Sequence, residues 1–375
     1  MNAALATERP PLRLKLTPSS GLIGVDIGSR FARLAQVRRH RGRWVISALR
    51  ALPQAGDQPL DQQSLVSGAF AASFDGLSFR DAGFRGRRCA ALLTGAIAEP
   101  RTLQLPSASS AETEQMAKLE LEDAPRDGVA SESLEFDLWT SSDSASADGT
   151  TRVSVMSAPQ SAAATVALDL QQHGLNCEVL DGLPFALARA VHFVDPASSN
   201  GTFATLDWGC HTPLLTVVQN GVPAFHRVFR DCGLDHAITA VRDEFSVSRF
   251  EASRLLAAVG VCRPEADSSS GQPAASIRRA IDRCTQPVVE RLFEQVRRSL
   301  AFLRQQNRRL VPDSLWLFGG GAALNGIDAA FTSRFELPCR SWQPAPRQIA
   351  RDLPVSGSLA PFGAAVGLSL LVEEI

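Results

Sequence analysis

Three short stretches carry residue types able to hold a phosphate chain and its counter-ion. They are Asp26-Ile27-Gly28-Ser29, then Asp207-Trp208-Gly209 with Thr212 close behind, and Gly319-Gly320-Gly321. An aspartate that ends a strand holds a hydrated magnesium ion through its waters, while the Gly-Ser that follows offers backbone N–H and hydroxyl donors to phosphate oxygens. Arg33 adds a positive charge on the first of these hairpins. A glycine triple suits a turn in which backbone takes positive φ or approaches another group closely. Each stretch alone also fits a plain structural turn, because Asp-x-Gly is ordinary β-turn chemistry and a glycine turn serves packing as well as binding. The chemistry becomes specific only if all three meet.

The surrounding pattern predicts how they are positioned. Residues 21–27 read as an apolar strand delivering Asp26, 33–37 alternate as a second strand, and 44–49 form a third. The same grammar returns further on: an apolar strand over 203–206 delivers Asp207, 214–218 follow, and an Asn220-Gly221 turn leads into 224–229. Two copies predict two halves, each presenting an Asp-x-Gly hairpin, that close on a phosphate chain from opposite sides. The third stretch reads as strand (315–318), tight glycine turn, then helix closing at Leu337-Pro338. Between the halves, a helix is expected over 61–74 and a buried strand over 89–94. An insert over 99–180 holds strands at 101–106, 134–139, 152–158 and 177–180, an acidic helix at 109–122, and a helix at 161–173. Helices are also expected over 184–193, 233–245 and 249–259. A long one over 275–308 is interrupted or kinked near Pro287, and a small-residue helix covers 363–374.

Composition narrows the function classes. A chain of 375 residues exceeds what one core usually fills, so two or more domains are expected. A net charge of -1 with 21% charged residues makes no field that would gather nucleic acid or press the protein onto an anionic bilayer. No apolar run reaches the roughly 18 to 20 residues of a membrane span, which points to a cytoplasmic protein without direct membrane insertion. The seven cysteines are scattered with no C-x-x-C pair, and the six histidines form no ligand pair, so neither zinc nor a disulfide framework is expected. Residues 1–20 are expected to be a flexible leader.

Taken in order, the motifs resemble the actin, heat-shock-70 and sugar-kinase superfamily, and within it the PilM family of type IV pilus assembly. GVDIGSRFARLAQV (24–37) looks like the family's first phosphate loop, LDWGCHTPLLTVVQNGVPAFHRVF (206–229) like its second, and LFGGGAALNGIDAAFTSRFELP (317–338) like its adenosine motif. RTLQLP, the acidic helix, a strand pair and a helix ending in HGLNCEVLD resemble the 1C subdomain that PilM shares with the division protein FtsA. RRSLAFLRQQ (297–306) is similar as well.

The resemblance implies an α/β, two-lobed actin-like fold, ribonuclease H-like and duplicated, with an inserted 1C-type α+β subdomain. Residues 21–98, with 181–199 and part of 346–375, form the first lobe, 99–180 the insert, and 200–345 the second lobe. It implies ATP in the cleft on Asp26, Gly28, Ser29, Arg33, Asp207, Gly209, Thr212, Gly319, Gly320 and Gly321, with magnesium held through water by Asp26 and Asp207. It further implies a scaffold at the inner membrane of a type IV pilus, competence or type II secretion-like machine. Such a scaffold is peripheral to that membrane, binding the N-terminal cytoplasmic tail of a bitopic PilN-like partner.

Two departures leave other readings open. Trp208, Cys210 and His211 stand where the family usually has small residues, and their bulk is expected to crowd a phosphate. Ser253 and Leu256 stand where relatives carry Glu and Lys beside the ribose. A nucleotide-free scaffold, as in the related GspL, is therefore an alternative. A small-molecule kinase of the superfamily is another, although no Asn-Asp-x-x-Ala-like base is present. The end Leu370–Ile375 is apolar and acidic, unlike the basic amphipathic helix by which FtsA attaches to membrane.

Overall fold

The computed structural model describes residues 19–54, 73–93, 98–123, 134–139, 149–261 and 273–373. The leader up to residue 18, the helix expected over 61–74 apart from its last two residues, and Cys262 lie outside the described residues.

The chain opens with an antiparallel meander of β1 (Ile23–Ile27), β2 (Phe31–His40) and β3 (Arg43–Pro53), followed by β4 (Arg88–Leu93) parallel to β1. Arg41 and Gly42 take φ of 50° and 78°, the two positive values that a tight two-residue hairpin turn requires. Next come β5 (Glu99–Pro106), α1 (Ser110–Asp123), β6 (Leu134–Trp139), β7 (Thr150–Pro159), α2 (Gln160–Gln172), β8 (Asn176–Gly182) and α3 (Leu183–Val194). The second half repeats the opening with β9 (Thr202–Asp207), β10 (Leu214–Gln219) and β11 (Val222–Val228). Its hairpin, Asn220-Gly221, again has φ of 50° and 79°. It continues through α4 (Leu234–Phe245), α5 (Arg249–Val259), α6 (Pro273–Gln306), β12 (Leu315–Phe318), α7 (Ile327–Phe335), β13 (Cys339–Ser341) and α8 (Gly363–Ser369).

The two main sheets are the same sheet made twice. Their orders are β3-β2-β1-β4-β8 and β11-β10-β9-β12-β13, each an antiparallel meander extended by two parallel strands. The third sheet, β5-β7-β6, is the insert's own. The expected span of 99–180 is longer than that sheet at its C-terminal end. There β8 pairs with β4, and α2 buries Ala162, Val166 and Leu170 among Ile23, Val25 and Ala91 of the first lobe. Register with β4 is a long-range fact that local alternation in Cys177–Leu180 does not contain. Of the interruption or kink expected near Pro287, the interruption is absent, since α6 is one helix with Pro287 inside it; its buried face of Ile281, Val289, Leu292 and Val296 is seated on the second-lobe core.

Helices α3 and α8 lie between the lobes in a shared core that takes Leu22, Ala35 and Ile46 from one sheet and Phe203, Val218, Trp316 and Phe318 from the other. Small residues make that layer thin. A Cβ on Gly24 would stand 1.9 Å from the Ala365 carbonyl oxygen, and one on Gly367 would stand 1.8 Å from that of Ala186. The Ser369 hydroxyl, fully buried, donates to the Leu22 carbonyl at 2.6 Å and accepts from the Val37 amide at 2.9 Å.

Candidate functional site

Strand β1 carries Asp26 opposite Arg33 of β2, and the Gly28 amide closes the hairpin on the Phe31 carbonyl at 3.0 Å. Arg33 Nη1 stands 3.8 Å from Asp26 Oδ2 with both side chains largely buried, and a Cβ on Gly28 would come within 3.3 Å of that nitrogen. Asp207 ends β9 in the other lobe and faces the same place. Burial raises the pKa of Asp26 against the opposing pull of Arg33. Asp207 is pushed up to about 7 by burial and then by the negative charge of Asp26, again against Arg33. Among the described residues, the two carboxylates that the lobes bring together are offset by the guanidinium of Arg33, an arrangement short of one positive charge when both are ionised.

The turns themselves touch across the cleft. Burial pushes the Cys210 thiol up, while Ser29 and Arg30 of the first lobe lie within hydrogen-bond reach of its sulfur. On its own lobe the thiol donates to Asp235 Oδ1 at 3.5 Å, and Asp235 is paired with Arg249. Arg30, Asp235 and Arg249 are site residues that sequence reasoning missed. Arg30 was legible as the residue that follows the Gly-Ser turn, whereas the Asp235–Arg249 pair joins two helices and leaves no local signal.

The glycine turn differs from expectation in two ways. Gly321–Ala323 forms a single 3₁₀ turn, and α7 begins only at Ile327, after Gly326 at φ 78°, so no helix N-terminus meets the cleft here. Each glycine also has a neighbour inside its own lobe. Gly319, at φ 77°, leaves room for the Asp207 carboxylate, which would sit 2.5 Å from an added Cβ; Gly320 leaves room for Leu234; and Gly321 lies on the Trp208 indole, 2.3 Å from where its Cβ would be.

Trp208 accordingly does not crowd a phosphate. Its ring is 2% exposed under Gly321, and its indole N–H donates to the Cys232 carbonyl at 3.0 Å. Gly209 is beside Asp207 Oδ2 and accepts from the Leu234 amide, while His211 and Thr212 are exposed. In the same helix as Ser253 and Leu256, Glu251 is held in a capping box at the start of α5, accepting from the Ser248 amide at 2.9 Å and hydroxyl at 2.7 Å. Ser253 is exposed and Leu256 is buried. Of the sequence-derived set, Asp26, Gly28, Ser29, Arg33, Asp207, Gly209 and Gly319 converge. Gly320 and Gly321 lie against Leu234 and Trp208 of their own lobe, and Thr212 is exposed.

Among the described residues no helix is long and apolar enough to cross a membrane, and no three His, Cys, Asp or Glu side chains gather to hold a metal directly. No family model matches the chain, and no curated protein matches it. Solved structures do. The chain is similar to a chain of the PilM-PilN type IV pilus biogenesis complex, with 23% identity and a TM-score of 0.72 over 95% of this chain and 99% of that one. It is also similar to the ethanolamine utilization protein EutJ from Carboxydothermus hydrogenoformans, at 16% identity and TM-score 0.50 over 95% and 90% of the two chains. MamK of a double helical filament gives 11% identity and TM-score 0.50 over 94% and 99%. These likenesses, with the duplicated sheets, show the two-lobed actin-like fold.

Proposed function

We propose that this protein is a PilM-like scaffold that ties an inner-membrane assembly to the cytoplasm by capturing the N-terminal cytoplasmic tail of a bitopic PilN-like partner. The observation that carries this reading is the fold match to a chain of the PilM-PilN complex, which extends over 95% of this chain. An extended tail adds to a sheet edge or lies between subdomains through main-chain hydrogen bonds, and the three-stranded insert has such edges in β5 and β6. The machine is a type IV pilus or a competence or secretion system built alike. The test is fractionation: removing the partner's cytoplasmic tail should release the protein from the membrane fraction, and retention there would refute the reading.

The cleft fits a magnesium nucleotide at its phosphate end. Two buried carboxylates with one guanidinium leave room in charge for a further cation, and Asp26 and Asp207 would hold magnesium through its waters while Arg33, Gly28 and Ser29 meet phosphate. Bound there, ATP would draw the two lobes onto one ligand. The ribose end lacks the Glu and Lys that relatives use. A nucleotide-free scaffold is the second reading, favoured by the contact of Cys210 with Ser29 and Arg30, which already joins the turns. Calorimetry with ATP and magnesium separates the two. The first predicts binding that Asp26→Ala and Asp207→Ala each weaken at least tenfold, and absence of heat in the parent protein selects the second.

A further inference from the structure

The insert is joined covalently to the first lobe at both ends, β4 running on into β5, and β7 through α2 into β8. Without covalent help, its two edge strands are both fastened to the second lobe. Trp139, the last residue of β6, donates its indole N–H to the Pro223 carbonyl at 2.7 Å, and its ring meets Phe185 of α3 edge-on at 4.6 Å between centroids. On the other edge, the backbone of Pro100 in β5 lies beside the buried ring of His226. Pro223 and His226 both belong to β11, the outer strand of the second-lobe sheet, and β5 lies against it. One strand of one lobe therefore holds both edges of a unit built onto the other.

These contacts are sheltered. Burial lowers the His226 pKa to about 4, so the ring is neutral at cellular pH. Its Nδ1 is buried and has no protein partner among the described residues. Trp139 is half-buried between the insert, α3 and β11. A hydrogen bond fades beyond roughly 3.5 Å, so a lobe displacement of about 1 Å either breaks such a contact or drags the insert along. Breaking it leaves a sheltered donor or carbonyl unsatisfied.

We infer that β11, through Pro223 and His226, is a latch that couples movement of the lobes to the insert, so that the tail-binding unit follows the state of the cleft. The regulatory meaning rests on the tail-capture reading; the mechanical coupling does not.

Hydrogen exchange on the ligand-free protein tests it. Measured well above the Asp207 value of about 7, where its carboxyl is ionised, Arg33→Ala leaves Asp26 and Asp207 facing one another without their cation and so favours separation of the lobes. In the latched protein it should accelerate amide exchange in β5 and β7 by about tenfold, and in the Trp139→Phe/His226→Leu background by less than about twofold. Equal acceleration in both backgrounds, or none in either, overturns the latch. If the double replacement does not fold, Trp139→Phe alone serves, because it keeps a ring on Phe185 and removes only the donor. Neither tail nor nucleotide is present, so failure of the latch and failure of tail capture are read separately.

Discussion

Asp207→Asn should stabilise the ligand-free protein at about pH 8, by on the order of 4 kcal/mol, and should do nothing at about pH 4. The buried Asp207 carboxyl titrates near 7 in the folded protein against an ordinary value of 3.8, raised first by burial and then by Asp26. Between those two values the folded chain keeps a proton that the unfolded chain has released. Stability from this group is therefore complete below the lower value and falls as pH climbs through the upper one. Asparagine imitates the protonated carboxyl and carries no such slope. Denaturant unfolding of both proteins across this range reads the difference, and a gap that does not widen between about pH 4 and pH 8 would contradict the assignment. The same result would show that the cleft asks for a cation at neutral pH, since a divalent ion or a proton relieves the same repulsion.

The second large effect lies in the layer between the lobes. Gly367→Ala should cost about 3 kcal/mol or more, because the new methyl would stand 1.8 Å from the Ala186 carbonyl oxygen, and backbone cannot rotate away as a side chain does. Helix α8 must lift from α3, and the buried Ser369 contacts to Leu22 and Val37 go with it. Gly357→Ala is the control. It has φ of 82° but nothing within 4 Å of its added Cβ, so only the backbone strain of about 1 kcal/mol remains. Urea midpoints of the two variants should separate clearly. Similar midpoints would mean that the helices are not packed as closely as described.

Much of this was legible in the chain because it is local. Strand alternation and the Asn220-Gly221 turn give the second meander directly, and the repeated Asp-x-Gly gives the two halves. The direction of Trp208 was legible too: the residue after Asp207 on a strand faces the opposite side, so a cleft-facing aspartate sends the indole into the lobe. Its effect on phosphate was expected from bulk alone, which ignores that alternation. The role of Gly319-Gly320-Gly321 was hidden for a different reason. A glycine says that something comes close, and only the fold says that it is Asp207, Leu234 and Trp208. The placement of β8 beside β4, and the fastening of Trp139 and His226 across lobes, are pairings over many tens of residues that no local pattern encodes.

The central claim is capture of a membrane protein's tail, and titration calorimetry with a synthetic peptide of that tail tests it most directly. The peptide is the cytoplasmic N-terminal segment of the PilN-like bitopic protein from the same organism. The account predicts saturable one-to-one binding that a peptide of scrambled order does not reproduce. Absence of binding, both with and without magnesium ATP, would contradict it.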